Sequence, residues 1–300
     1  MNKNLVAHLA ILLANLIYGI NYTFAKDVMP EYIKPFGFIM LRVLGALPLF
    51  WLISALGPRE KVSRKDLGRL AICAFFGVAA NQLLFFAGLN ITTPINAAII
   101  MTTNPILVLI AASFILNQVI TRRKVLGIAL GIVGASALIL FKGNLNLDSS
   151  SWTGDLLIFL NSMAFGVYLV LVAPLMNKYR PITVIKWVFA FGALYVIPFG
   201  FNQFTEIPWV SFTWEIGLKT AFVVFFTTFI AYLFNVFGLK YLKPSTVSTY
   251  IYSQPVFAAA VAIMLGKDQI TITKIVAAVF IFMGVYLVSK KPKATQQQAN

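Results

Sequence analysis

Residues 94–105 read PINAAIIMTTNP, and residues 244–255 read PSTVSTYIYSQP. Both stretches are bracketed by prolines 11 residues apart, and an ungapped shift of 150 residues superposes them. The same shift sets Gly88-Leu89 on Gly238-Leu239 and Ala112 on Ala262. It also sets Ile120-Thr121 on Ile270-Thr271, Lys124 on Lys274 and Gly134 on Gly284. That makes nine identities over 47 aligned positions. Farther out the match loosens, and Tyr18-Gly19 falls opposite Phe165-Gly166. The chain therefore reads as two copies of one unit.

The unit is apolar. Of 300 residues, 60% are hydrophobic and 11% charged, against about 45–50% and about 25% in a soluble domain. This excludes an ordinary soluble protein and also disorder, which needs low hydrophobicity and high charge. The apolar runs fall at 5–25, 36–56, 67–89, 94–116, 124–141, 152–174, 184–201, 216–239, 244–265 and 272–289. Each is close to the roughly 20 residues that cross a bilayer as a helix. Backbone groups in lipid must be satisfied internally, so runs of this length are helices. The predicted fold class is all-α integral membrane, with ten transmembrane helices as two five-helix repeats. The division falls at 1–145 and 146–290, across the polar loop 143–151, with 291–300 as a disordered cytoplasmic tail. MNKN before the first run, with no A-x-A cleavage site, reads as the start of a retained helix.

Five is odd, so the second copy enters the membrane from the opposite side and the repeats are inverted. The charges follow this alternation. Seventeen of the 24 Lys and Arg fall on the side that holds both termini, six on the other, and Arg42 inside a span. The positive-inside rule then makes both termini cytoplasmic. The net charge of +15 is accounted for by topology, and no nucleic-acid partner is expected. Inverted repeats are the architecture of many secondary transporters, with the site near the midplane where the repeats meet.

Chemistry is scarce. One cysteine, Cys73, and one histidine, His8, provide neither a metal set nor a catalytic pair, so no cofactor or metal is expected. There is no Walker motif, and no carboxylate lies at mid-membrane. Polar residues inside spans are costly and are therefore site candidates, with interhelical hydrogen bonding as the other reading. Arg42 is the one charged residue deep in a span; it would hold a substrate carboxylate or phosphate with forked hydrogen bonds, or pair with Asp155 to fix the bundle. Asn15, Tyr18 and Tyr22 share a face of the first span at i, i+3 and i+7. Asn81 and Gln82 sit in the third span, Asn161, Ser162 and Tyr168 in the sixth. Thr228, Tyr232 and Asn235 form a stripe on the eighth, and Tyr250 and Ser253 lie on a polar face of the ninth. Gln82 and Tyr232 are repeat partners. The candidate substrate-binding set is Asn15, Tyr18, Arg42, Asn81, Gln82, Tyr168, Tyr232, Asn235, Tyr250 and Ser253. Phe85, Phe86 and Trp187 are further candidates for the pathway wall. Pro105 and Pro255, which cannot donate a helix hydrogen bond, are candidate hinges; static kinks that aid packing are an equal reading.

The five-plus-five helices, Tyr18-Gly19, Arg42, and the turn from Gly88 to Pro94 leading into Pro105 form a set, echoed at Gly238, Pro244 and Pro255. As a set they resemble the drug/metabolite transporter superfamily, specifically the EamA-type ten-helix permeases. The resemblance covers essentially the whole chain. It implies export or exchange of small organic metabolites, such as amino acids, across the inner membrane through a central cavity, and does not fix the substrate. The expected partners are a small-molecule substrate and the lipid bilayer. A homodimer through helices five and ten is a further reading, with Gly127, Gly131 and Gly134 allowing close approach; packing within the monomer explains these glycines equally well. Two other functions compete. A membrane enzyme acting on a lipid-linked substrate needs clustered acids at one membrane face, which the chain lacks. A scaffold without transport predicts a closed bundle.

Overall fold

The computed structural model describes residues 2–92, 97, 100–140, 152–264 and 271–290. The loop 143–151, the tail 291–300 and Pro94 lie outside the described residues. Among the described residues every regular element is a helix, as lipid demands. The first run is α1 (Lys3–Val28) and the second α2 (Pro35–Ala55). The third is one helix, Arg64–Ile91, made of α3 (Arg64–Ala74), a π-helical stretch (Phe75–Ala80) and α4 (Asn81–Ile91). The fourth ends in α5 (Asn104–Leu116), and the fifth is α6 (Arg122–Leu140). The sixth and seventh are α7 (Trp152–Lys178) and α8 (Pro181–Thr205). The eighth repeats the third: α9 (Trp214–Phe222), a π-helical stretch (Val223–Ile230) and α10 (Ala231–Tyr241). The ninth is α11 (Pro244–Thr249), a 3₁₀ turn (Tyr250–Ser253) and α12 (Gln254–Met264). The tenth is α13 (Ile272–Ser289).

Among the described residues, seven helices are long and apolar enough to cross a membrane by length and composition. Each of the other three runs carries a local feature. The fifth opens on Arg122, Arg123 and Lys124. The fourth and ninth are interrupted just before Pro105 and Pro255. Each proline sits in the first turn of the second half-helix, where its missing N–H costs nothing. The hydroxyls before it take the adjacent carbonyls: Thr103 donates to Ile100 O at 2.7 Å and Ser253 to Tyr250 O at 2.6 Å. The expected kink inside a helix is thus a break between two helices.

The repeat is visible in three dimensions. Under the shift of 150, α4 coincides with α10, and Phe75–Ala80 falls within the π-helical stretch of the eighth run. Residues related by that shift also touch one another. Gln82 donates to the Tyr232 hydroxyl at 3.1 Å, and the Tyr252 hydroxyl donates to Thr102 O at 3.1 Å. Equivalent positions can meet only near the axis relating the repeats, so these pairs mark it. Packing obeys the same relation: α1 lies on α10 and α12, as α7 lies on α4 and α5. A Cβ at Gly19 would come 3.1 Å from Phe257 Cβ, and one at Gly166 would come 3.3 Å from Val108. The loose Tyr18-Gly19 to Phe165-Gly166 alignment is therefore an equivalence of contacts.

The second and seventh spans form an antiparallel pair with crossed caps. Gln203 Oε1, near the end of α8, accepts from Phe36 N at 2.8 Å and Gly37 N at 3.2 Å. Glu60, past the end of α2, accepts from Arg180 N at 3.0 Å. Each thereby satisfies orphan N–H groups of the other repeat's helix. Ion pairs sit at both membrane faces. On the face of the N-terminus, Asp66 meets Arg69 and Lys178, each at 3.2 Å, and accepts from the Tyr179 hydroxyl at 2.9 Å. On the opposite face, Lys219 meets Asp27 at 2.5 Å and Glu215 at 2.6 Å, and Lys34 meets Glu206 at 2.7 Å. Among the described residues, every ion pair between different spans joins ends that a ten-span alternation puts on one face. The chain is an all-α membrane protein of two inverted five-helix repeats.

The glycines proposed for a dimer are used inside the monomer. A Cβ at Gly127 would lie 2.7 Å from Gly284 O, one at Gly131 2.2 Å from the Tyr252 ring, and one at Gly134 2.7 Å from Ala277 O. They let α6 and α13 approach each other and α6 approach the 3₁₀ turn. Trp152, Trp209 and Trp214 are exposed, 78%, 50% and 82%, as interfacial aromatics should be.

Candidate substrate site

Between the repeats lies a cavity of about 110 Å³. Its wall takes Asn15, Tyr18 and Asn21 from α1, Arg42 from α2, and Asn81, Gln82, Phe85 and Phe86 from α4. Met101 comes from the fourth span, Asn161 and Phe165 from α7, Thr227 from the second π-helical stretch, and Tyr232 and Asn235 from α10. Val247, Ile251 and Gln254 of the ninth span complete it. Seven of the ten candidate substrate-binding residues meet here: Asn15, Tyr18, Arg42, Asn81, Gln82, Tyr232 and Asn235.

Three candidates do not line this wall. Tyr168 is buried with its ring against Gly77, where a Cβ would sit 2.4 Å from it. The Tyr250 hydroxyl pairs with His8 Nδ1 at 2.8 Å, and Ser253 turns its hydroxyl back onto its own helix. The break at Tyr250–Ser253 rotates both away from the face that carries Ile251 and Gln254. Trp187 also packs elsewhere, edge-on to Trp51 at 5.4 Å. The side chain of Tyr22 lies outside the described residues.

Arg42 is buried, 4% exposed. A buried arginine in a membrane costs at least about 2.5–3.5 kcal/mol at the bilayer centre, so its partners matter. Its Nε donates to the Thr228 hydroxyl at 3.0 Å, and its guanidinium lies 5.1 Å from the Phe86 ring centroid. The pairing with Asp155 does not form. Asp155 accepts instead from the Thr92 hydroxyl at the opposite membrane face. Among the described residues Arg42 meets no carboxylate, and the cavity wall contains none. Among the described residues the cavity therefore carries one uncompensated positive charge, whose Nε alone has a hydrogen-bond partner.

Around that charge runs an amide network. Asn15 donates to Ile11 O at 2.8 Å and accepts from Gln254 at 2.8 Å. Asn235 donates to the Tyr18 hydroxyl at 3.0 Å and to Ala231 O at 2.8 Å. Asn161 donates to Asn81 O at 2.6 Å. The network leaves acceptors open: Gln82 Oε1, Asn161 Oδ1 and Asn21 Oδ1 are buried with no donor among the described residues. Such groups cost about 1–3 kcal/mol each when left unsatisfied, so a ligand or water that donates to them is favoured. Phe85, Phe86 and Phe165 supply an apolar wall beside this polar one.

The EamA-like transporter family matches residues 5–140 and 152–290. The chain belongs to the EamA-like transporter family. A Bacillus subtilis relative named as the uncharacterized transporter YyaM is 28% identical over 96% of this chain and 94% of its own length. An Archaeoglobus fulgidus uncharacterized transporter is also 28% identical, over 96% of this chain and 99% of its own. A WAT1-related protein of Arabidopsis thaliana is 24% identical over 90% of this chain and 75% of its own. A crystal structure superposes with a TM-score of 0.76 at 16% identity, covering 96% of this chain and 98% of that one; this likeness establishes the fold alone. The family and the Bacillus and Archaeoglobus relatives are named for transport and not for enzymatic chemistry.

Several wall residues of this EamA-like transporter escape a reading of the sequence. Asn21 follows Tyr18 by three residues and was legible on the same face. Thr227 was not. An α-helical period groups Thr228 with Tyr232 and Asn235; the π-helical stretch adds a residue to the turn and brings Thr227 to the wall. Thr228 instead bonds backward to Val223 O at 2.9 Å and receives Arg42. Met101, Val247 and Ile251 carry no polar signal and become wall residues only through the broken fourth and ninth spans.

Proposed function

We propose that the protein is a secondary transporter that exports or exchanges small organic anions, amino acids among them, by alternating access about its two repeats. The observation that carries this reading is the lone guanidinium of Arg42 in a cavity shared by both repeats. A carboxylate there would take forked hydrogen bonds from Arg42 and supply the missing counter-charge. An amino acid would add an ammonium whose three donors suit Gln82 Oε1, Asn161 Oδ1 and Asn21 Oδ1. Its side chain would lie against Phe85, Phe86 and Phe165. Asn15, Tyr18, Asn81, Tyr232 and Asn235 would shape the polar wall. Tyr168, Tyr250 and Ser253 would act from behind it.

Alternating access needs two states of similar energy, and inverted repeats supply them by exchanging roles. The breaks before Pro105 and Pro255 are the proposed hinges, and the division of the chain is 1–145 against 146–290, with 291–300 as a tail. The Asp66 cluster and the Lys219 cluster are the proposed latches on the two sides. Arg69 and Lys219 are repeat equivalents, and each cluster ties the start of one span (third or eighth) to the end of another (sixth or first). The charge distribution supports a reading in which both termini are cytoplasmic, and the proposed location is a bacterial-type inner membrane.

The test is counterflow in proteoliposomes with labelled amino acids and other carboxylates. Stimulated exchange of at least one carboxylate supports the reading. Correctly inserted protein that moves none contradicts it, and favours the closed scaffold.

A further inference from the structure

A second cavity, of about 490 Å³, lies at the membrane face of the N-terminus and shares no wall residue with the substrate cavity. Its wall comes from the ends of four spans. Ile53 closes α2, Arg180 opens α8, and Phe234, Phe237, Lys240 and Tyr241 belong to the last turns of α10. The groove is amphipathic along its length. Phe234, Phe237 and Ile53 line the part within the span, and Lys240, Arg180 and Tyr241 its rim.

The rim carries positive charge without compensation. Lys240 is half-buried and, among the described residues, has neither a hydrogen bond to an acceptor nor an ion pair. Arg180 directs its guanidinium to Pro58 O at 3.2 Å, a neutral carbonyl. The nearby Glu60 carboxylate is engaged by the backbone N–H of Arg180, at 3.0 Å, and is not among the groove's wall residues. Phe237 stacks edge-on with Tyr241 at 5.2 Å, which presents a phenol at the rim. Two cations and a phenol above an apolar trough match a phosphate head over acyl chains. Basic pockets between transmembrane helices recognise anionic lipids in this manner.

We infer that this groove is a binding site for an anionic phospholipid of the leaflet at the face of the N-terminus. The phosphate and its charged neighbour lie between Arg180 and Lys240, and an acyl chain lies along Phe234 and Phe237. The lipid thereby bridges α2 and α8 to α10, elements from both repeats.

Native mass spectrometry tests this on the full chain extracted from two vesicle types. One is pure phosphatidylcholine, and the other phosphatidylcholine with an equal amount of phosphatidylglycerol. Phosphatidylglycerol should be retained selectively through detergent exchange. Two near-surface cations together account for about 30-fold in affinity, so R180Q/K240Q should retain it about 30-fold less well. Lys243→Gln, an exposed lysine beyond the groove, should retain it as the unchanged protein does. If the double variant misfolds, Lys240→Gln alone, at a half-buried helix end, should still lose several-fold. Equal retention of the two lipids overturns the inference. So does undiminished retention by Lys240→Gln, or an equal loss in Lys243→Gln.

Discussion

Arg42 concentrates the chemistry of the protein in one side chain. It is buried, it bonds a threonine, and it faces amides and phenols instead of a carboxylate. A hydrogen bond to a charged group is worth about 1.5–3 kcal/mol. Arg42→Gln should therefore lower carboxylate exchange at least about tenfold in proteoliposomes, with the protein still inserted. Arg42→Lys should rescue only in part, because a point charge does not reproduce the fork. Glycines give a sharper structural contrast. Gly131→Val drives a side chain into the Tyr252 ring and should cost about 1–3 kcal/mol, the usual penalty of overpacking. Gly68→Ala meets nothing within 4 Å and lies in α3, where alanine is the better helix former by about 1 kcal/mol. Thermal unfolding in detergent should place the first variant below and the second at or above the parent. Arg42 was visible in the sequence because charge inside a span is rare. Its partner was not, since nothing in the order of residues puts Thr228 beside it while sending Asp155 to Thr92.

Elements that move should be those whose hydrogen-bond ladders are already interrupted. The π-helical stretches and the breaks before Pro105 and Pro255 are such places, and all four lie near the cavity. Pro255→Ala lets α11 join α12 into one helix. It should slow exchange several-fold while leaving the half-saturating substrate concentration unchanged; a rise in that concentration instead would assign Pro255 to binding. The latches predict opposite biases. Partly exposed ion pairs contribute about 0.2–1 kcal/mol each, so Asp66→Asn should shift the state populations by up to about fivefold. It should raise the labelling of a cysteine placed at Asn81, in a Cys73→Ala background, by reagents applied on the face of the N-terminus. Lys219→Gln should raise it from the other face. The prolines announced these breaks in the sequence. The π-helical stretches had no such announcement, because Phe75–Ala80 and Val223–Ile230 are apolar runs like any other, and only the packing around Gly77 and Arg42 fixes their extra residue.

At the scale of the molecule, symmetry is the organising fact. Gln82 meets Tyr232 and Tyr252 meets Thr102 across the axis, and the crossed caps of Gln203 and Glu60 tie each repeat to the other. The repeat was legible from the prolines 11 residues apart and the alternation of lysine and arginine, because both are properties of order along the chain. The membership of the cavity was legible only where polarity marked it. The symmetry is broken at one functional place: with Pro35 of α2 aligned on Pro181 of α8, Arg42 falls opposite buried Val188. A single positive charge serves a cavity that both repeats enclose. The most direct measurement is counterflow of a labelled carboxylate, in parallel, by the protein and by Arg42→Gln, reconstituted to equal density and orientation. The account predicts saturable exchange by the protein and loss of at least about nine-tenths of it in the variant, the tenfold expected for a charged hydrogen bond. Exchange by Arg42→Gln at the level of the unchanged protein would contradict it.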